Sequence, residues 1–395
     1  MNRPTVRIGA MYLALCAGSD SLGTTWTFTV LHPPGAGQFS AAYSTTGSQQ
    51  GGWARIAGMD RAGVWNGTAA SFISLHPAGA TQSEVRMTSG GQQAGWALIG
   101  GASRAGIWTG TAGSWVSLHP AGASMSVAFA TTGAQQAGVA HFGGFGRAST
   151  WTGSAAGRVD LHPAGAAFSF ALGTNGTRQV GYAAIGLTMH ASLWSGSAAS
   201  WVDLHPAGST GSQAVALTAT HQGGFVELAG VPHAALWSGS AATFIDLHPS
   251  AAANSAVNAM AGPYQAGRAE FAGWAHAGVW KGTAASFDDL HAALSTDYQE
   301  ASEAFGIHVG ATTILVCGAA MNTTTGQTEA ILWSRPLSFC PGDLNLDGLT
   351  DSFDLNIVLS DFGCLGPPCP GDADGDGDTD STDLNAILVD FGCTP

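Results

Sequence analysis

Along most of the chain, apolar and polar residues alternate in short runs, and clusters of Gly, Ser or Thr separate one run from the next. In one stretch SMSVAFATTG, QQAGVAHF, RASTW and GRVDLHP follow one another. Period-two alternation between turn residues predicts β-strands, and no helical periodicity competes with it here. The local reading is four short strands in succession.

That group of four recurs. Trp-x-Gly falls at Trp65, Trp108, Trp151, Trp194, Trp237 and Trp280, each 43 residues after the last, and Trp333 follows after 53. Leu-His falls at His32, His76, His119, His162, His205, His248 and His291, with interior spacings of 43. Four strands in a fixed period of this length are the arithmetic of a propeller blade. The first strand lies nearest the axis, where small residues such as Ser126, Ala128 and Ala130 suit crowding, and Trp194 and Trp201 fill the wider wedge further out. Gly196 then supplies a hairpin angle that a side chain would resist.

The ends of the array complement each other. A fourth strand ending at His32 has no third strand before it, and a third strand ending near Trp333 has no fourth after it. The fold expected is all-β, a seven-bladed β-propeller whose last blade is closed by the N-terminal strand. Such closure removes two exposed sheet edges, so a monomeric propeller is expected. It spans residues 23–336, after a signal peptide or disordered N-terminus at 1–22 and before a small helical calcium module at 337–395. Arg3 and Arg7 ahead of IGAMYLALCAG carry the signal-peptide reading.

Composition narrows the function. Charged residues are 10% of the 395 and Lys281 is the one lysine. All 12 Lys and Arg precede residue 340, with 14 of the 26 acids, so the net charge of -14 belongs mostly to 12 aspartates between Asp343 and Asp390. A basic footprint for nucleic acid is absent, and no run resembles a membrane-spanning helix. Four of the six cysteines, Cys340, Cys364, Cys369 and Cys393, fall in the same short tail, which suggests disulfides and an exported, extracellular or cell-surface protein. Cys317 is expected as a buried free thiol.

The repeated histidines invite a metal or catalytic ring, with Asp160, Asp203, Asp246 and Asp289 two residues before four of them. Positions related by the repeat lie on a circle too wide to share one ion. A strand-end cap onto loop backbone is expected instead. The position four before each Trp is Arg61, Arg104, Arg147, His190, His233, His276 and Glu329, read as a solvated strand start. Departures from the rule gather in the seventh unit as Asp288, Asp289, Asp297, Glu300 and Glu303. They are read as a solvated acidic loop, with paired-carboxylate hydrolysis of glycans as the alternative.

The HASLWSG and VDLHPAG elements, spanning about residues 24–336, resemble the bacterial extracellular HAF repeats. That resemblance implies an exported repeat protein and assigns no activity.

The tail is more specific. DLNLDGLTDSFD at 343–354 and DADGDGDTDSTD at 372–383 stand in register 29 apart. Positions 1, 3, 5, 9 and 12 are Asp343, Asn345, Asp347, Asp351 and Asp354, then Asp372, Asp374, Asp376, Asp380 and Asp383. With Gly348 and Gly377 at position 6 and the carbonyls of Leu349 and Asp378 at position 7, each loop can wrap one calcium ion, two ions in all. An apolar run follows each loop and no helix precedes it, an arrangement that resembles a type I dockerin over residues 342–393. The resemblance implies calcium-dependent folding and a cohesin-like protein receptor, chosen partly by Ser352, Phe353, Ser381 and Thr382. Cys340 with Cys364 and Cys369 with Cys393 bracket the two units and are the expected disulfides; pairings across the units stay open, since four cysteines allow three connectivities.

The function expected from these features is a secreted, non-enzymatic interaction protein. The alternatives are a glycan-binding propeller lectin, and a propeller glycosidase or lyase using Glu300 or Glu303.

Overall fold

The computed structural model describes residues 26–337, 340, 342–345, 349–366, 368–374 and 376–393. The proposed signal segment, Asp347 and Gly348 lie outside them. Five four-stranded antiparallel sheets and one eight-stranded sheet account for the propeller region. Met125–Thr131, Gln136–Phe142, Phe145–Trp151 and Val159–Asp160 make up one of the five. The eight-stranded sheet consists of two such sets that meet only at a parallel pairing of Phe39 with Thr328. Within it Thr27–Val30 pairs antiparallel with Gln327–Pro336, aligning Phe28 with Trp333, so the two ends of the array do complete one sheet. The innermost strands touch in sequence around a ring, which closes where Ser302–Val309 meets Ala36–Thr45.

The fourth strand of each set is shorter than expected. Apart from Thr27–Val30, only two residues pair, as with Val202–Asp203, because the chain first makes a 3-10 turn at Ala198–Ser200. Gly196 has φ +81, and its N–H donates to buried Gln179 Oε1 at 2.9 Å. The same Gln-to-turn bond recurs at Gln50, Gln93, Gln136, Gln222 and Gln265.

The third-strand tryptophans Trp65, Trp108, Trp151, Trp194, Trp237, Trp280 and Trp333 are all fully buried. Trp108 packs on Ala62, Val64 and Leu75 of the preceding set and on Val85 of its own sheet, so it is a wedge between sheets. Burying an aromatic of this size removes about 150–250 Å² from water, a contribution of about 4–6 kcal/mol at 25 cal/mol per Å² before entropy. Cys317 is buried in Thr313–Asn322 and unpaired, and burial pushes its thiol up.

The Leu-His histidines have a different partner from the one expected. In one joint, buried Ser83 Oγ accepts the Ala62 N–H of the preceding sheet at 2.9 Å and contacts His76 Nδ1 at 2.7 Å. His76 Nε2 lies 3.0 Å from the Ala80 carbonyl, which can only accept, so the proton sits on Nε2 and Nδ1 accepts from the serine. The loop contact is the expected cap; the serine contact ties sheet to sheet. Equivalent His–Ser contacts occur at His32, His119, His162, His205, His248 and His291.

The residues four before each Trp are not simply solvated. His190, His233 and His276 stack on His205, His248 and His291 at 3.9–4.2 Å, and bond Asp203, Asp246 and Asp289. Glu329 is buried and accepts from Tyr298 and Asn322.

Burial lowers the pKa of all seven joint histidines below the usual 6.5, so in the fold they are held neutral. The unfolded chain therefore binds these protons first as pH falls. Stability is fully present above about pH 7 and declines once pH drops through about 6.5, the ordinary histidine value. Desolvation raises Glu84, Glu303, Asp374 and Asp378, an opposite effect, while burial lowers His141 in the same sense as the joints. Thermal melts between pH 8 and pH 5.5 are expected to show a falling midpoint, and a flat or rising one would contradict the neutral-histidine joint.

Candidate functional site

The innermost strands have a shared grammar. Three residues after each joint serine stand Tyr43, Arg86, Phe129, Leu172, Val215, Asn258 and Phe305, and these line a central cavity of about 460 Å³. A β-bulge turns them inward, for the pairing register slips between Ala128 and Ala130 and at the corresponding places in the other sheets. Such bulges re-aim a side chain out of the ladder. The bulge presses on the second strand, where a Cβ on Gly138 would lie 2.0 Å from the Val127 carbonyl oxygen. Small residues do occur near the axis as expected, but Ser126 and Ala128 face the neighbouring sheet and the bulge residue faces the channel.

The channel has two unlike halves. In one, Glu84 Oε2 accepts from Trp96 Nε1 at 3.2 Å and lies 3.4 Å from Arg86 Nε. The Arg86 guanidinium sits 4.7 Å from the Tyr43 ring centre, and Tyr43 Oη accepts from Trp53 Nε1 at 3.0 Å. Glu303 Oε1 takes Asn258 Nδ2 at 3.0 Å and Arg268 Nε at 3.3 Å. Burial raises both glutamates, and the arginine beside each opposes it. Burial, and then the Glu84 charge, push up Tyr43. In the other half Phe129, Leu172, Val215 and Leu217 form an apolar wall.

The seventh-unit acids do not gather into one site. Asp288 accepts from Trp26 Nε1 and Arg335, Asp289 belongs to a histidine pair, and Asp297 accepts from Thr324. Of these acids Glu303 bonds a residue of the channel wall, Asn258, from behind it, as Glu84 of another sheet contacts Arg86. Glu84 was not a sequence candidate. The signal for it lay in the contrast between constant serines and the variable residues that follow them.

In the tail, Asp351 and Asp380 cap helices α1, Ser352–Asp361, and α2, Ser381–Asp390. Buried Asp354 and Asp383 fold back on their loops. Asp383 Oδ1 accepts the N–H groups of Ala373 and Asp374 at 2.7 and 3.1 Å, and Asp354 Oδ1 accepts those of Leu344 and Asn345. In the second loop, ligand oxygens of Asp372, Asp374 and Asp383 lie within 4.8 Å of one another, as do those of Asp378, Asp380 and Asp383. Asp378 offers this cluster a carboxylate as well as a carbonyl; its buried Oδ1 has no hydrogen-bond partner among the described residues. Desolvation, then the carboxylates of Asp376, Asp380, Asp383 and Asp372, raise it. Asp376 also offers an oxygen, so the donor set is all oxygen and fits a hard cation such as calcium. In the first loop Asp354 Oδ2 also accepts the Asp351 N–H at 2.9 Å, as Asp383 Oδ2 accepts that of Asp380 at 2.7 Å. Ser352, Phe353, Ser381 and Thr382 are exposed at the helix starts.

The disulfides differ from the expected within-unit pairs. Cys340 joins Cys393 and Cys364 joins Cys369. The two copies pack reciprocally. Gly342 N–H and Thr350 Oγ1 donate to Asp390 of the second copy at 2.8 Å, while Gly371 N–H and Thr379 Oγ1 donate to Asp361 of the first at 2.8 and 2.9 Å. Each pre-loop cysteine is thereby carried to the helix end of the other copy. These two disulfides fit an oxidising setting.

No family model matches the chain, and no curated protein matches it. Solved structures do. Puromycin hydrolase matches with a TM-score of 0.50 at 14% identity, over 74% of this chain and 53% of that one. An acylaminoacyl peptidase matches at 0.53 and 10% identity, over 76% and 52%, and that of Pyrococcus horikoshii at 0.50 over the same shares. The chain spans about half the length of these proteins. The likeness shows the fold, a β-propeller. Solved structures that share the fold include a hydrolase and peptidases, and this stands against the expected reading of a non-enzymatic binding protein. Among the described residues no helix is long and apolar enough to cross a membrane.

Peptide mapping without reduction is expected to recover Cys340 linked to Cys393 and Cys364 linked to Cys369. Recovery of Cys340–Cys364 would show that the two copies do not pack reciprocally.

Proposed function

We propose that the chain takes part in peptide hydrolysis, with its propeller holding the peptide at the channel. The observation that carries this is the two-sided cavity, with Arg86, Tyr43 and Asn258 on one half and Phe129, Leu172, Val215 and Leu217 on the other. A peptide presents both kinds of group along one short backbone. The likeness in fold to puromycin hydrolase and acylaminoacyl peptidase supports the same reading. Glu84 and Glu303 stand behind the wall and hold Arg86 and Asn258, the polar side chains that would meet the peptide. The joint serines are not nucleophiles in this scheme, since each Oγ is buried and accepts a backbone N–H.

The propeller is read as seven-bladed, the eight-stranded sheet being two blades. The repeated tryptophan wedges and histidine joints support that count. The tail is read as a calcium module of dockerin type, Asp343, Asn345, Asp351 and Asp354 contributing to one site and Asp372, Asp374, Asp376, Asp378, Asp380 and Asp383 to the other. Bound calcium would neutralise the crowded carboxylates. The module would attach a secreted, HAF-type propeller to a cohesin-like receptor.

Fluorogenic aminoacyl and N-acyl peptides are expected to be turned over by the full chain. Asn258→Ala, which removes the amide side chain from the cavity wall, is expected to lower kcat/KM by about 5–10-fold, the size of one lost hydrogen bond. Absence of turnover on either class between pH 5 and 9 would remove the hydrolase reading.

Titration calorimetry with calcium is expected to give two sites in the tail, and a chelator is expected to reduce the helical signal while the sheet signal persists. No binding heat and no change in helicity would remove the calcium module.

A further inference from the structure

Resting on the hydrolase reading, we propose that the channel binds the free carboxylate of a short peptide with an apolar terminal side chain, and that Arg86 is its anchor. Among the described residues lining the cavity, Arg86 is the one charged side chain. The six equivalent bulge positions are Tyr43, Phe129, Leu172, Val215, Asn258 and Phe305, all uncharged. Filling the axis needs volume, which these residues supply. A guanidinium there carries a desolvation cost that packing alone does not offset.

The groups around Arg86 leave its outer face open. Its centre lies 4.7 Å from the Tyr43 ring and 5.9 Å from that of Phe129, so aromatic faces hold the plane in position. Its charged contact is Glu84 at Nε, 3.4 Å away, and it makes no hydrogen bond with a described residue. Guanidinium has five donors in a planar fork, and the terminal pair matches both oxygens of a carboxylate.

Neither nearby glutamate hydrogen-bonds the terminal nitrogens of Arg86, the contact of Glu84 being at Nε. Glu84 lies off the cavity wall and its Oε2 is bonded by Trp96. Glu303, also off the wall, is shared between Asn258 and Arg268. Tyr43 Oη accepts from Trp53, which leaves its own proton for a second bond to the ligand. Across the channel Leu172, Val215, Leu217 and Met260 form the wall that would receive an apolar side chain. A cavity of about 460 Å³ is within the usual range for small-ligand sites.

The test is calorimetry on the full chain with N-acetyl-leucylphenylalanine and with its C-terminal amide. The free acid is expected to bind about tenfold tighter or more, the size of a lost charge-assisted bond. Arg86→Gln is expected to abolish that difference and Arg86→Lys to retain part of it, with circular dichroism showing each variant folded. Equal affinities for acid and amide, a preference that survives Arg86→Gln, or binding of neither compound would overturn the proposal. Turnover of peptides with no preference for the acid removes the carboxylate site and leaves the hydrolase; a carboxylate preference without turnover does the reverse.

Discussion

A serine hydroxyl buried between two sheets must find its partners in the protein, and the fold depends on how those are supplied. Ser83 takes the Ala62 N–H from one sheet and gives its proton to His76, which gives its own to the Ala80 carbonyl. One hydroxyl and one imidazole thus join the third strand of one sheet, the first strand of the next and the loop between them. A buried polar group left unpaired costs about 1–3 kcal/mol, so the joint tolerates no loss of a member. That explains why Ser and His recur together in every joint, even where the turn between them lengthens, as from His291 to Ser302. It also explains a surface with few charges: cohesion between sheets is carried by these joints and by the tryptophan wedges.

The same logic separates what was legible in the sequence from what was not. Period, strand count, ring closure and the buried tryptophans follow from repetition, since each unit must fit the next in the same way. Gly196 was legible because its turn demands a positive φ. The His–Ser bond was harder, as its two residues lie seven apart with a turn between them. The stacking of His190 on His205 was hidden for the same reason, because pairing brings together residues on different strands. The paired glutamines were passed over although they are regular: Gln93 Nε2 bonds Gln49 across sheets and Gln136 bonds Gln92.

In the tail, spacing located the loops, and nothing in spacing located the cysteine partners. Two similar units in tandem can each close on themselves or exchange their ends. Exchange prevails because Asp361 and Asp390, at the helix ends, each accept from both a pre-loop glycine and a loop threonine of the other copy. The buried Val358 and Ile387 lie in helices that pack together across that exchange. The bracketing cysteines suggested a local staple, and the reciprocal hydrogen bonds make the long one between Cys340 and Cys393.

Repetition and chemistry then sort themselves by what each strand position faces. Residues facing the next sheet are held constant by the sheet they must fit, as with Ser126, Ala128 and Trp151. The bulge residue faces only the axis, so Tyr43, Arg86, Asn258 and Phe305 can differ without disturbing a joint. Seeking function where the 43-residue rule breaks led to the seventh linker, whose acids are spent on local bonds to Arg335, His276 and Thr324. The informative departures leave the spacing intact and change one side chain at a time. A closed ring places those changed side chains around a single cavity, which is how a chain built from nearly identical units acquires a site with two unlike sides.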